Sequence, residues 1–282
     1  MDVRKRGPRE IRGFRGVQKT YKLFVNGEFV RSESGRAYRP DGRVNVPRGS
    51  RKDLRDAVRA ARTAFPGWSG RTAMNRGQIL YRGAEMLDGR AAQFVELLGG
   101  GAKARRELDQ AVETLVWYAG WTDKLSQITG TVNPVAGPYF NFTIPEPTGV
   151  VGIVAPEEAP LSGLVRRLAP ALCGGNVVIA LAPEAQPLPA LTLAEVLATS
   201  DVPAGVVNIL SGQRKELLPW LASHMDINAI DVAGCTAEEI KAIEESAAGN
   251  VKRVIKLTQD EQSPYLIAAF MEMKTVWHPI GV

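Results

Sequence analysis

The chain has 282 residues, 45% of them apolar and 23% charged, with a formal net charge of +5. That balance is ordinary for a soluble globular protein and excludes a disordered, collagenous or coiled-coil chain. Two cysteines, Cys173 and Cys235, and two histidines, His224 and His278, are too few and too far apart for a disulfide framework or a metal site. No metal ligand is assigned.

The charge is uneven. Residues 1–20 hold seven basic side chains against Asp2 and Glu10, while the remaining 262 residues balance at 28 against 28. The excess therefore belongs to a basic tail over 1–20, expected to be solvated and flexible. Phe14 is its only aromatic, so the interleaved basic and aromatic stripe of a nucleic-acid interface is missing. No apolar run reaches the roughly 18 residues of a membrane span, and the charged N-terminus does not read as a secretory leader. A cytoplasmic protein is expected.

Leu23–Val30 reads as two short strands around Asn26-Gly27, a strong hairpin signal. Residues 35–50, rich in Gly, Pro and Arg, read as loop. Ser50 begins a helix with Leu54, Ala57, Val58, Ala61 and Phe65 on one face, and Pro66-Gly67 is expected to stop it. Further helices are expected over about 73–88, 91–98 and 104–128. Tyr139–Ile144 is extended and closed by Pro145-Glu146-Pro147.

From residue 150 strands and helices alternate. Strands are expected at 150–155, 176–181, 206–210, 229–232 and 251–257. Helices are expected between them at about 160–174, 188–199, 214–223 and 236–247. Nearly continuous apolar strands joined by helices of 10–15 residues predict a parallel sheet of βαβ units, an open α/β layer with helices on both faces. Such sheets bind ligands outside the carboxyl ends of their strands. The G-x-G-x-x-G fingerprint, the P-loop and G-x-S-x-G are all absent from the sequence.

Residues 147–161 (P-T-G-V-V-G-I-V-A-P-E-E-A-P-L), 175–188 (G-N-V-V-I-A-L-A-P-E-A-Q-P-L) and 201–212 (D-V-P-A-G-V-V-N-I-L-S-G) resemble the cofactor-domain blocks of the aldehyde dehydrogenase superfamily. L-F-V-N-G-E-F-V at 23–30, Y-A-G-W-T-D-K at 118–124 and A-A-G-N-V-K-R-V at 247–254 extend the resemblance in the right order over about 22–255. The sequence resembles the degenerate second copy of the enzyme in the sixteenth family of that superfamily. The resemblance implies an atypical Rossmann-like open parallel sheet with a small β oligomerisation arm. It implies NAD(P) as cofactor and a cysteine thiolate as nucleophile.

Position by position, the resemblance leaves no catalytic residue. Neither cysteine lies in the nucleophile motif, and Cys173 reads as packing in an apolar helix. The general-base glutamate falls on Leu257, with Glu261 reachable only through an insertion. Pro156 is kept, but Glu157 and Glu158 replace the Trp and the oxyanion-donating Asn. A carboxylate beside a developing oxyanion inverts the requirement, and a lost donor alone costs about 2.7–4 kcal/mol. The two glutamates read as a salt-bridged or solvated loop rather than a new acid–base pair.

The cofactor site is half retained. Pro156, Glu184, Gly205 and Gly234 match cofactor-binding positions, whereas the ribose-binding lysine falls on Leu181. The resemblance implies a diphosphate seat at the helix N-terminus after Gly234-Cys235-Thr236, where Glu239 replaces a glycine and the backbone N–H groups imply weak anion binding. At most weak NAD or NADP binding is expected, or none. Glu272–Pro279 resembles the family's last strand, part of the oligomerisation arm, and Phe140–Ile144 resembles the arm's other strands. The implied organisation is a tail over 1–20, hairpin and helices over 21–130, arm strands over 131–146, a Rossmann-like core over 147–258, and a linker with the final arm strand over 259–282. The resemblance implies that the catalytic domain is deleted between core and last strand. The surfaces this leaves imply an obligate oligomer, either of the chain itself or with a full-length aldehyde dehydrogenase.

Overall fold

The computed structural model describes residues 19–256 and 262–281. Apart from Lys19 and Thr20, the basic segment 1–20 lies outside these residues, as do Leu257 and Glu261.

The first strands, β1 (Leu23–Val25) and β2 (Glu28–Val30), form the expected hairpin. Asn26 and Gly27 take φ of 54° and 76°, the left-handed pair that a two-residue turn needs. Residues 35–50, expected to be loop, contain a two-residue pairing of β3 (Ala37–Tyr38) with β4 (Val46–Pro47). Helix α1 (Arg51–Ser69) starts in a capping box. The Ser50 Oγ accepts from the Asp53 N–H at 3.3 Å, and the Asp53 carboxylate accepts the Ser50 N–H at 2.8 Å. Pro66 does not stop α1. Its carbonyl still accepts the Gly70 N–H at 3.1 Å, and Trp68 in the extra turn is fully buried.

Three helices follow as expected in type: α2 (Ala73–Asp88), α3 (Ala91–Leu97) and α4 (Gly101–Ala119). The single helix expected over 104–128 breaks at Gly120, and the chain resumes as α5 (Leu125–Thr129). Glycine is a poor helix former, and the Thr122 hydroxyl takes the Ala119 carbonyl at 3.0 Å. The next strands are β5 (Thr131–Asn133) and β6 (Tyr139–Pro147). Pro145 and Pro147 extend β6 rather than closing it. They face β12 in register and lie beyond the residues that pair with β5, so one side of the strand there needs no N–H donor.

The core then runs β7 (Val150–Val154), α6 (Ser162–Cys173), β8 (Val177–Leu181), α7 (Leu188–Ala198), β9 (Val207–Leu210), α8 (Arg214–Ser223), β10 (Ala229–Asp231), α9 (Ala237–Ala247) and β11 (Arg253–Ile255). A short helix, α10 (Pro264–Ala269), which the sequence reading did not foresee, leads to β12 (Met271–Pro279). The main sheet has the order β11-β10-β7-β8-β9-β1-β2. Its first five strands are parallel, and the hairpin adds an antiparallel edge. Helices α6 and α7 cover one face, with α2 and α4 outside them; α1, α8 and α9 cover the other. Strands β7 and β8 are buried throughout, which explains their unbroken apolar sequence. No helix among the described residues is long and apolar enough to cross a membrane.

A separate three-stranded antiparallel sheet has the order β12-β6-β5. Its two faces differ. The register sets Val132, Phe142 and Val276 in one cross-strand row. Phe140 and Ile144 share that face, both more than a third exposed. The other face carries Thr131, Thr143 and Thr275 in a row, with the Thr143 and Thr275 hydroxyls 2.9 Å apart. Asn133 Nδ2 donates to Asn141 Oδ1 at 2.6 Å and to Thr143 Oγ1 at 2.9 Å on that same side.

Candidate functional site

The strand order reverses between β7 and β10: β8 and β9 follow on one side of β7, and β10 and β11 on the other. At such a switch point the loops leaving neighbouring strands diverge and open a crevice. A cleft of about 610 Å³ lies there, lined by Tyr38, Glu157, Glu184, Gln213, Arg214 and Glu239 among others. Its acidic and basic residues come from four strand ends. Glu157 follows β7, Glu184 follows β8, Arg214 opens α8 after β9, and Glu239 sits in the first turn of α9 after β10.

Of the four expected cofactor residues, three gather at this end of the sheet. Pro156 lies two residues beyond β7, just before Glu157, and packs on Gly163 in α6. Glu184 lines the cleft directly. Gly234 crosses the end of β7 so closely that a Cβ there would lie 2.3 Å from the Ala155 carbonyl oxygen. Its N–H donates to the Val154 carbonyl at 3.0 Å. Gly205 is not brought to the cleft. It precedes β9 rather than following it, so it lies at the opposite end of the sheet. Its φ is +80°, and a Cβ would lie 2.6 Å from the Ala60 carbonyl oxygen in α1. Close helix packing, not a ligand, requires glycine at 205.

The electrostatics of the cleft centre on Arg214, which the sequence reading missed. Its guanidinium donates to Glu157 Oε1 at 2.8 Å, to the Gly234 carbonyl at 2.6 Å and to Glu239 Oε2 at 3.5 Å. Its backbone N–H donates to Glu184 Oε2 at 2.8 Å. Glu157 also accepts the N–H groups of Glu184 at 2.8 Å and Ala185 at 3.1 Å. A basic residue one turn beyond a core strand's carboxyl end was the available signal. Glu157 is thus salt-bridged, as expected, and Glu158 is exposed. The Tyr38 hydroxyl donates to the Glu184 carbonyl at 3.3 Å. Burial, then the Glu184 and Glu157 carboxylates, raise its pKa above the ordinary phenol value.

The α9 N-terminus, the expected diphosphate seat, is capped from within the chain. Thr236 Oγ1 accepts the Glu239 N–H at 3.3 Å, and Glu239 Oε2 accepts the Thr236 N–H at 2.8 Å. The Gly234 and Cys235 N–H groups donate to the Val154 and Val232 carbonyls. Four donors at this turn are therefore taken within the chain, and Glu157, Glu184 and Glu239 face the cleft. This donor set does not fit a diphosphate.

The thiols lack the character of a nucleophile. Cys173 is fully buried, and burial pushes its pKa up to about 12. Cys235 is likewise pushed up to about 12, first by burial and then by the Glu239 carboxylate. Thiolates, not thiols, attack carbonyls. Among the described residues no group of three or more His, Cys, Asp or Glu is arranged to hold a metal ion.

The fold and cleft define a Rossmann-like, doubly wound α/β layer with a ligand crevice at its switch point. The sequence profile of the aldehyde dehydrogenase family matches residues 38–276, and the chain belongs to that family. It is 37% identical over 264 residues to retinal dehydrogenase 2 of Mus musculus, covering 88% of this chain and 50% of that protein. It is 35% identical over 249 residues to aldehyde dehydrogenase, cytosolic 1, of Elephantulus edwardii, covering 83% and 49%. Among solved structures, the NAD+ complex of an aldehyde dehydrogenase from Bacillus cereus superposes with a TM-score of 0.77 at 28% identity, covering 84% of this chain and 50% of that one. A putative aldehyde dehydrogenase from Burkholderia cenocepacia gives 0.78 at 30% identity, with the same coverage. The chain thus spans about half the length of the relatives it matches.

Proposed function

We propose that this chain is a non-catalytic, aldehyde-dehydrogenase-like subunit that assembles with a full-length aldehyde dehydrogenase as a scaffold or regulatory partner. The observation that carries this reading is the apolar face of the three-stranded sheet: Val132, Phe140, Phe142, Ile144 and Val276 side by side. Exposed apolar faces of this kind mark interaction sites, and β5 leaves an open edge that a partner strand can extend. The resemblance gives this sheet the role of the oligomerisation arm. Only residues 256–270 separate the last core strand from the last strand of that sheet.

The chemistry of the cleft supports the non-catalytic half of the reading. Both thiols are protonated at neutral pH, and a carboxylate stands at the position of the oxyanion donor. Dinucleotide binding is weak or absent on this reading, and the relative named cytosolic supports a cytoplasmic setting.

Native mass spectrometry of the chain purified gently from its own host tests the proposal. A complex holding a longer, cysteine-bearing aldehyde dehydrogenase at fixed stoichiometry is expected. A homo-oligomer would keep the arm's role but sink the partner enzyme. A monomer would sink both.

A further inference from the structure

We infer that the cofactor cleft is closed by the chain's own charges: the carboxylates of Glu157 and Glu239, bridged by Arg214, occupy the donors that a diphosphate needs, so that dinucleotides are excluded from this chain. The inference goes beyond the assembly reading and does not depend on it.

An anion entering between β7 and β10 would need open N–H groups and an unpaired cation. Four backbone N–H groups here meet carboxylates instead. Those of Glu184 and Ala185 meet Glu157, that of Arg214 meets Glu184, and that of Thr236 meets Glu239. The one guanidinium at the centre is already shared between Glu157, Glu239 and the Gly234 carbonyl. Its side chain is only 16% exposed. Bonds between charged partners are the strong ones, and an incoming diphosphate would have to displace several at once. It would also come to rest against three carboxylates, balanced only by Arg214 and Lys215 among the cleft-lining residues.

The same contacts join the ends of four core strands. Glu157 reaches from β7 to the loop after β8, Arg214 reaches from the start of α8 to β7 and β10, and Glu239 closes the turn after β10. A bound dinucleotide spans this crevice by touching several loops at once. Here the side chains make that connection. The arrangement is an internal substitute for the ligand's anionic centre, built from acceptors that cannot leave.

Calorimetric titration of the intact chain with NAD+, NADP+ and inorganic pyrophosphate tests this, beside the double variant Glu157→Gln, Glu239→Gln. The unaltered chain is expected to bind none of the three and to show no rise in melting temperature up to about 1 mM ligand. The double variant removes two opposing charges and leaves Arg214 without its two carboxylate partners, so it is expected to bind pyrophosphate at least about tenfold more tightly than the unaltered chain. Hydrogen exchange on the unaltered chain provides a readout that needs no variant. The N–H groups of Glu184, Ala185, Arg214 and Thr236 are expected to exchange slowly without ligand, and at the same rate with NAD+ present. A ligand-dependent rise in the unaltered chain's melting temperature overturns the inference. So does a folded double variant that binds no better, and so does exchange of the four amides at exposed-loop rates. The oligomer mass, read without ligand, is a separate result.

Discussion

Arg167 of α6 and Asp231 of β10 face each other across the buried layer, Nη1 to Oδ2 at 3.8 Å, and neither of those two atoms has a hydrogen-bond partner among the described residues. Asp231 is 1% exposed and Arg167 6%. Burial raises the Asp231 carboxyl from 3.8 to about 6, against the lowering effect of Arg167 and the Ala233 N–H. The folded protein therefore holds this proton at pH values where the unfolded chain has lost it. Stability from this group is largest at low pH and falls as pH rises from about 4 to about 6. The loss is on the order of 3 kcal/mol. Urea unfolding of the unaltered chain and of Asp231→Asn between pH 4 and 7.5 checks it. The unaltered chain should lose stability relative to the variant over that window, and parallel curves would refute the buried titration.

The pair also predicts a mutant cycle. Arg167→Met strands a buried carboxylate and should cost about 3–5 kcal/mol at pH 8. The loss should shrink below pH 6, where Asp231 is protonated. Adding Asp231→Val should restore stability to within about 1 kcal/mol of the starting protein, because an apolar pair of similar volume needs no desolvation of charge.

The three-stranded sheet predicts a separation of assembly from folding. Phe140→Glu with Val276→Glu places two charges on the apolar row while leaving the main core untouched. The complex seen by sedimentation or native mass spectrometry should dissociate. The melting transition of the isolated chain should shift by no more than the roughly 0.5 kcal/mol typical of surface changes. Retention of the full complex would move the contact elsewhere.

The two thiols should be inert in the folded state. With pKa values near 12, their thiolate fraction at pH 7.5 is roughly a thousandfold or more below that of a free cysteine. Iodoacetamide should label neither Cys173 nor Cys235 in buffer within hours and both in urea. Rapid native labelling of Cys235 would reopen nucleophilic chemistry at this site.

Gly234 and Gly205 are both intolerant of a side chain, for different reasons. Gly234→Ala drives a Cβ into the Ala155 carbonyl, and Gly205→Ala drives one into Ala60 from a left-handed backbone. Each should cost about 1–3 kcal/mol in urea unfolding. Gly234→Ala should also disturb the Arg214 contact and speed exchange of the Arg214 and Thr236 amides. Gly205→Ala, at the other end of the sheet, should leave those amides unchanged.

Much of the fold is local and could be read in sequence order. Apolar runs at β7 and β8, the left-handed turn at Asn26-Gly27 and the capping box at Ser50 are set by neighbours within a few residues. So is the gathering of Pro156, Glu184 and Gly234, because each follows a parallel strand and all parallel strands end on one side. Gly205 was misassigned since it leads into its strand rather than out of it. The Gly120 break and the continuation of α1 through Pro66 turned on single hydrogen bonds and on the burial of Trp68.

The sequence by itself determined the α/β class, the family resemblance and the absence of the catalytic motifs, because these depend on residue type and short-range period. Only the tertiary structure decided what the remaining charges do. Glu157 and Arg214 are 57 positions apart, and nothing near either one indicates the other. They meet because the chain reverses its strand order after β9 and carries α8 across to the other face of the sheet. That crossover sets a guanidinium among carboxylates from three other loops, and their mutual attraction in a half-buried crevice holds it there.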